Sequence, residues 1–367
     1  MYLKELTIDN FKNLKHQKVT FSAGTNVIYG TNAQGKSNLL ECIRILSIGK
    51  SFRNSKNKDM VNFGSDYYYM KGIFDIDNEE ITIETGYKLN QNRFFKVNNN
   101  KIKSISELIG VILTTIFSPD DLNIVKGSPF IRRRYMDASI SMIKRNYLYD
   151  IIQYNKVLAN RNKVLKDIKF KSENLKLLDI MDEQLSIFGS KIIMYRKQYV
   201  NNLNLIVKKI LHDISNEEVE ICYWNNVMDK IDDIKYIKES LSNKLKLNRD
   251  IDIKYGDTKY GPHRDDIKIY VNGHDSRIYA SQGQQRTIAL CLKLAEHEMI
   301  KSENHENPIL LLDDVMSELD LNRRRYILNK ISGCQTFITH TEKDDIKGDK
   351  YFLISDGVIM PDCQFSN

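Results

Sequence analysis

Residues Gly30 to Ser37 read G-T-N-A-Q-G-K-S, a phosphate-binding loop, and no other segment restricts the possible folds as much. Its two glycines let the backbone curl so that successive N–H groups turn inward on phosphate oxygens. At that spacing Lys36 reaches the β- and γ-phosphates, and the Ser37 hydroxyl is placed to ligate Mg²⁺. The flanks agree. Thr25 to Tyr29 is a β-prone run, and Asn38 to Leu46 continues with helical periodicity, so a helix N-terminus lies beneath the phosphates. The candidate nucleotide-binding residues are therefore Gly30, Thr31, Asn32, Ala33, Gln34, Gly35, Lys36, Ser37 and Asn38. The chain is predicted to bind a nucleoside triphosphate in an α/β fold.

Two later segments refine this. Pro308 to Asp314 is an apolar run ending in two carboxylates. Such a run predicts a strand buried in a parallel sheet, with its carboxylates at the edge where ligands bind. Asp313 is then placed to hold Mg²⁺, and Asp314 to polarise an attacking water as a general base. Ala280 to Arg286 opens a long helix. Serine and glycine at a helix start present free N–H groups and the positive dipole end to an anion. The phosphate loop already occupies one nucleotide, so Ser281 and Gly283 make sense as a cap on the γ-phosphate held by another subunit. The blander alternative is that Ser281 only caps its own helix.

In chain order come the phosphate loop, Ser281 to Gln285, Leu310 to Asp314, Ser317 to Asp320, and Thr336 to His340. This resembles the ATP-binding-cassette set of Walker A, signature, Walker B, D-loop and switch histidine. The resemblance makes Ser281, Gly283 and Gln284 signature residues at the nucleotide, assigns Ser317 and Asp320 to the D-loop, and makes His340 the sensor of the γ-phosphate. Gln282 replaces the signature's first glycine, and Asp314 stands where most cassettes carry glutamate, which predicts slow hydrolysis. With Met1 to Leu14, Phe117 to Leu122, Val125 to Asp137 and Tyr260 to Asp266 added, the chain from Met1 to Gly357 resembles the RecF family of bacterial replication and repair proteins. That implies an ABC-type P-loop ATPase head related to SMC proteins, with an antiparallel β subdomain and a short helical arm. It also implies ATP and Mg²⁺ as ligands, slow DNA-stimulated hydrolysis and an ATP-dependent homodimer. The expected partners are DNA at gaps and duplex–single-strand junctions, and RecR and RecO in loading RecA. Tyr260 to Asp266 is a marker of the family whose chemical role its residues do not dictate.

The expected division is an ATPase lobe at 1–140, a helical insert at 141–250 and the rest of the ATPase lobe at 251–367. Tyr67 to Phe74, Glu80 to Thr85 and Arg93 to Val97 read as a meander of strands. Beyond Ser141, apolar spacing predicts two long helices folding back near Asp167 to Asn174, with Gly189 the one glycine before Asp213. A net charge of +7 suits a phosphate backbone. Arg53 and Lys56 in one basic cluster, and Arg133 and Arg134 in the Arg132 to Arg134 run, are candidate DNA contacts; Lys156, Arg161 and Lys163 continue along the arm. No helix-turn-helix or zinc-finger pattern occurs, so base readout is not expected. Cys42, Cys222, Cys291, Cys334 and Cys363 are scattered without C-x-x-C spacing, which counts against a disulfide framework or a zinc site. No leader-like stretch or apolar run of about 18 residues is present, so a cytoplasmic, non-membrane protein is expected. Three other readings stay open, one of them the ATPase half of an overcoming-lysogenisation-type nuclease, which would need a metal-nuclease domain after the head. A transporter ATPase would want a Leu-Ser-Gly-Gly-Gln signature and a shorter interval between Lys36 and Ser281. An ATP-binding scaffold acting on a protein partner is compatible with Asp314.

Overall fold

The alternating N-terminal runs become strands. They are β1 (Tyr2–Asp9), β2 (Gln17–Thr20), β3 (Thr25–Tyr29), β4 (Tyr67–Ile76), β5 (Glu79–Lys88), β6 (Phe94–Val97), β7 (Asn100–Lys101) and β8 (Thr114–Phe117). Helix α1 (Lys36–Ile48) separates β3 from β4. Helices follow: α2 (Leu122–Lys126), α3 (Pro129–Ile143), α4 (Arg145–Ile168) and α5 (Leu175–Ile214). Next come β9 (Val219–Trp224), α6 (Ile234–Leu247), α7 (Arg249–Tyr255), β10 (Asp266–Val271), β11 (His274–Asp275) and α8 (Ser276–Tyr279). The last elements are α9 (Gln282–Asn304), β12 (Ile309–Leu312), α10 (Leu321–Lys330), β13 (Thr336–His340), β14 (Lys350–Ser355) and β15 (Val358–Pro361). This computed structural model describes residues 1–168, 175–215, 217–228, 233–330, 333–343 and 346–362. Most of the predicted fold-back near Asp167 to Asn174, and Cys363, lie outside the described residues. The chain divides into unit 1 (Met1–Asp121 with Glu296–Asn367) and unit 2 (Leu122–Ala295).

Unit 1 holds two six-stranded sheets. One is antiparallel, in the order β2-β1-β4-β5-β6-β7; the other runs β15-β14-β3-β13-β12-β8 and is parallel apart from its β15 edge. Ten of the thirteen residues of α1 are buried, because both sheets cover it. Leu39, Leu40, Ile43 and Leu46 share a core with Leu6, Ile8, Met70 and Ile83 of one sheet and Ile28, Ile116, Leu311 and Phe337 of the other. Burying each such Leu or Ile contributes roughly 1.5–3 kcal/mol, and Ile43→Ala would cost roughly 2–5 kcal/mol through the cavity it leaves. The polar residues of α1 are accommodated rather than exposed. Arg44 Nη1 donates to the carbonyl and hydroxyl of Thr114, both at 2.6 Å, and Lys12 Nζ donates to the buried Glu41 carboxylate at 2.5 Å. Register aligns Tyr29 with His340, and Leu312 with Ile338 and Phe117. The carboxyl ends of β3, β13, β12 and β8 therefore lie along one edge, where open α/β sheets bind ligands.

In unit 2, α4 and α5 form the two predicted long helices, α5 being 40 residues and about 60 Å long. Its buried positions Leu178, Asp182, Leu185, Gly189, Ile192, Arg196, Tyr199 and Leu203 recur at intervals of three and four. Gly189 is required there, since a Cβ would stand 2.5 Å from the Leu241 side chain and 3.2 Å from the Tyr154 ring. The polar positions of the stripe are paired. Arg161 Nε donates to Asp182 at 2.6 Å and its Nη1 to Asp252 at 2.7 Å, all three side chains being fully buried. Arg161 is thus a structural cation, and its expected place among the DNA contacts of the arm is corrected. No described helix is long and apolar enough to cross a membrane.

Tyr260 to Asp266 acquires a physical role in this unit. The Pro262 carbonyl and the Asp265 carboxylate accept from Arg196 Nη1 at 2.6 and 3.0 Å, and Tyr223 also donates to Asp265. His263 Nδ1 meets Tyr154 Oη at 2.8 Å, and Asp266 takes Arg132 Nε and Nη2 at 2.6 and 3.0 Å. The segment clasps α3, α4, α5 and β9 together through charges that leave water only as pairs. Burial pushes the Asp265 carboxyl up to about 6, against the pull of Arg196, and pushes the His263 imidazole down to about 4. Arg132 therefore belongs to the interior. Arg133 is half-buried and donates to the Asp265 carbonyl at 2.7 Å, so it has a structural bond besides any DNA contact. Arg134 is exposed, above the Phe130 ring.

Candidate functional site

The phosphate loop keeps its shape through backbone conformations that only small residues tolerate. Gly30 has φ +143°, and a Cβ there would stand 2.4 Å from the Ile354 carbonyl oxygen. Gly35, at φ +115°, starts α1 with no side-chain cap; the Asn38 N–H turns back to the Gly35 carbonyl at 3.0 Å, and the Lys36 and Ser37 N–H groups are left as donors for an anion. Two side chains brace the loop from behind. Asn13 Nδ2 donates to the Gln34 carbonyl at 2.8 Å while its Oδ1 accepts from Asn38 Nδ2 at 2.7 Å. Gln34 Oε1 accepts from the Asp356 N–H at 2.6 Å. Gln34 and Asn38, expected at the nucleotide, thus commit their side chains to the loop itself. Lys36 is folded back, donating to the carbonyls of Gly30 and Thr31. Burial lowers its ammonium from the ordinary lysine value, while Asp314 and Asp313 pull it up.

A cleft of about 150 Å³ opens at this loop, lined by Lys36, Ser37, Asn38, Arg53, Asp314 and Thr339 with Asn32, Ala33 and Gly35. Asp313 lies at its foot, 3% exposed. Burial raises the Asp313 carboxyl above the usual carboxylate range; hydrogen bonds from Ser37 and Thr339 and the charge of Arg53 oppose that. A hydroxyl beside a carboxylate is the hard-oxygen donor set that suits Mg²⁺, which keeps most of its water and takes one or two protein oxygens. Asp314 leaves the strand at φ +54°, a left-handed conformation uncommon for aspartate. It is held there by its N–H on Thr339 Oγ1 at 2.8 Å and by Ser317 Oγ, which donates to its carboxylate at 2.9 Å. The D-loop serine is therefore bonded to the carboxylate expected to orient water. His340 is buried at the end of β13, with Nδ1 toward the backbone of Glu342.

Arg53 was expected at DNA, but its Nη2 lies 3.6 Å from Asp313 Oδ2 and it lines the cleft. Lys56 is exposed on the same loop. Thr339 and Asn13 were missed as site residues. Thr339 had a usable signal, since it sits at the end of a β-type run next to His340; Asn13 had none beyond its place in the N-terminal run. Contiguous with the loop, a groove of about 900 Å³ is bordered by Lys12, Lys15, Lys58, Asn62, Leu89 and a fully exposed Phe63.

The signature segment belongs to unit 2. Ser281, Gln282 and Gly283 are exposed at the start of α9. Ser281 and Gln284 form a reciprocal capping box: Gln284 N–H donates to Ser281 Oγ at 3.2 Å, and Ser281 N–H donates to Gln284 Oε1 at 2.7 Å. Gln284 Nε2 also donates to Glu217 Oε1 at 2.7 Å, so both ends of the amide expected at the nucleotide are engaged within the unit. A Cβ on Gly283 would meet nothing closer than Ser281 Oγ at 4.0 Å. Among the described residues no packing contact demands a glycine there.

With this geometry in hand, the comparisons with known proteins agree in kind. The RecF/RecN/SMC N terminal domain family matches residues 2–352. The DNA replication and repair protein RecF of Thermoanaerobacter sp. (strain X514) is 55% identical over 361 residues, covering 98% of this chain and 99% of that protein. A solved structure of the recombination mediator protein RecF-ATP in the RecFOR pathway superposes with a TM-score of 0.94 at 52% identity, covering 98% of this chain and 97% of that one. A Smc head domain with an extended coiled coil from Pyrococcus furiosus, at 17% identity and TM-score 0.57, covers 98% of this chain and 95% of that one and shares the fold alone. The architecture is an ABC-type P-loop ATPase head with an antiparallel β subdomain and a helical insert.

Proposed function

The chain belongs to the RecF family, and on that premise we propose that it is a cytoplasmic ATP-gated DNA clamp of recombinational repair and replication restart. ATP lies on Gly30 to Ser37, with Lys36 turning from the loop carbonyls to the β- and γ-phosphates. The groove beside Phe63 takes the nucleoside. Ser37 and Asp313 hold Mg²⁺, which when bound neutralises charge developing on the phosphate oxygens. Asp314, steadied by Thr339 and Ser317, orients the attacking water, and His340 senses the γ-phosphate. Ser281 and Gly283 of a second copy close over that phosphate, so the dimer holds only in the ATP state. Hydrolysis is slow and DNA-stimulated, and releases the clamp from gapped or junction DNA, where it acts with RecR and RecO in RecA loading.

The observation that carries this reading is that the uncapped start of α1, Lys36, Ser37, Asp314 and Thr339 line one cleft. Fluorescence anisotropy on a gapped duplex tests it, with ATP or ADP, for wild type and Lys36→Met at two salt concentrations. The expected result is salt-sensitive binding that needs both ATP and Lys36. Binding indifferent to nucleotide would instead favour an ATP-binding scaffold acting on a protein partner.

A further inference from the structure

Ser281 carries a hydroxyl whose role depends on which way its proton points, and the hydrogen bonds around it leave one direction open. Its oxygen accepts from the Gln284 N–H at 3.2 Å. Its own N–H is taken by Gln284 Oε1 at 2.7 Å. The Ser281 N–H, which can only donate, already calls for the amide oxygen on its side, and Glu217, whose carboxylate can only accept, holds the amide nitrogen on the other. Gln284 Nε2 donates to Glu217 Oε1 at 2.7 Å, which secures the amide oxygen on the Ser281 N–H, and the Ser281 hydroxyl, an acceptor toward the Gln284 N–H, still has its own proton to donate. A phosphate oxygen needs such a donor.

Glu217 also lies just beyond the end of α5. In the last turn of that helix the Ser215 N–H donates to the Leu211 carbonyl at 2.7 Å, and Ser215 Oγ is 3.4 Å from Glu217 Oε2. The far side of the chain of bonds is therefore the root of the 40-residue arm helix.

We propose that Glu217 is a positioning residue for the signature serine, orienting it through Gln284 and tying it to the base of α5. This rests on the reading that Ser281 faces the nucleotide of a second copy. Glu217 belongs to unit 2 and is not one of the residues lining the phosphate-loop cleft, so its removal is expected to act on closure and not on loading of that loop.

The test is sedimentation velocity of the full chain with ATP or ADP, paired with titration by a fluorescent ATP analogue. The variants are Glu217→Ala, the exchanged pair Glu217→Gln with Gln284→Glu, and Ser281→Ala. In the exchanged pair the new glutamine donates to the new carboxylate, which still accepts from Ser281 N–H. Glu217→Ala is expected to weaken ATP-dependent self-association about tenfold, the worth of one charge-assisted hydrogen bond. At protein concentrations too low for self-association its affinity for the analogue stays at the wild-type value, and at higher concentrations the exchanged pair recovers most of the self-association. Unaltered self-association in Glu217→Ala overturns the proposal, as does a loss that the exchange fails to recover. An effect of Ser281→Ala without one of Glu217→Ala sinks this inference alone. A wild type that does not self-associate with ATP, with Ser281→Ala no different, sinks the underlying reading and this inference with it.

Discussion

Helices α1 and α9 both begin at segments read as phosphate contacts, yet their first turns are finished in opposite ways. At α1 the cap position is Gly35 in the left-handed region, with no side chain to satisfy the N–H groups behind it. Those donors stay open for a ligand, and the loop in front of them is braced from behind by Asn13 and Gln34. At α9 the capping box of Ser281 and Gln284 satisfies the Ser281 and Gln284 N–H groups internally. That helix start is stable by itself, and what it offers outward is a hydroxyl proton and the bare backbone of Gly283. An open helix end is incomplete without its anion; a closed one can wait for an anion delivered from elsewhere. The difference fits the proposed division between a site loaded within the chain and a site used only on assembly.

Four predictions break or sharpen that contrast, in falling order of effect. Asp314→Asn leaves both helix ends intact and removes the carboxylate expected to orient water. We predict that steady-state ATP turnover falls about a thousandfold while ATP-dependent self-association persists in gel filtration. Loss of association as well would mean that chemistry and anchoring are not separable here.

Lys36→Met strikes the α1 side. It should lower ATP affinity about a hundredfold in isothermal titration, because a charge-assisted donor is lost from a buried position. A Lys36→Met protein with near wild-type affinity would show that the open helix end alone holds the phosphates.

Gly283→Ala strikes the α9 side without disturbing its fold. Alanine suits a helix better than glycine by roughly 0.5–1 kcal/mol, and the added methyl meets no atom of the chain closer than Ser281 Oγ at 4.0 Å. The melting temperature is expected to hold or rise slightly while ATP-dependent association weakens about tenfold. The matching change Gly35→Ala behaves differently, since φ is +115° and its Cβ would stand 2.7 Å from Asn13 Oδ1. That variant should lose stability by about 1–3 kcal/mol together with nucleotide affinity. If Gly283→Ala also melted early, α9 would be doing internal work that its open surroundings do not reveal.

The smallest effect concerns the clasp in the unit that carries α9. Asp265 is raised from 3.8 to about 6 by burial, so its contribution is fully present below 3.8 and is lost as pH rises through 6. His263 is lowered from 6.5 to about 4 by burial, so its contribution is fully present above 6.5 and is lost as pH falls through 4. Between those limits the two slopes oppose. His263→Asn should leave the slope of Asp265 in place. Its unfolding free energy in urea should then rise relative to wild type as pH is lowered from 6 to 4.5, on the order of 1 kcal/mol per pH unit. A parallel pair of curves would place the titration elsewhere.

Much of the fold was legible because its signals are local. The run Thr25 to Tyr29 is β3, Asn38 to Leu46 lies within α1, and the apolar run before Asp313 is β12. The meander and both long helices follow from periods of two and three-to-four. Cations were the weak point. Arg53, Arg132 and Arg161 share a residue type, and in the sequence all three stand in basic surroundings. One lines the nucleotide cleft, one pairs with Asp266 in the interior and one is fully buried between Asp182 and Asp252. A guanidinium has no periodic signature, because its destination depends on carboxylates that are far away in the chain. Thr339 stands beside His340 in the sequence, but its partners Asp313 and Asp314 reach it only through the pairing of β12 with β13.

By itself the sequence determined that this chain has a phosphate loop between a strand and a helix, then a serine-led helix, then two carboxylates after a buried strand, in the order of the RecF family. Those are properties of short segments, set by glycine conformational freedom, strand composition and helix caps. Only the tertiary structure decided which side chains serve the ligand and which serve the frame. It took Gln34 and Asn38 into the bracing of the loop, Gln284 into the cap and the Glu217 bond, and Tyr260 to Asp266 into the clasp. The physical reason is that a buried polar group must find its partner wherever the packed chain brings one, and the distance along the sequence to that partner carries no information about it.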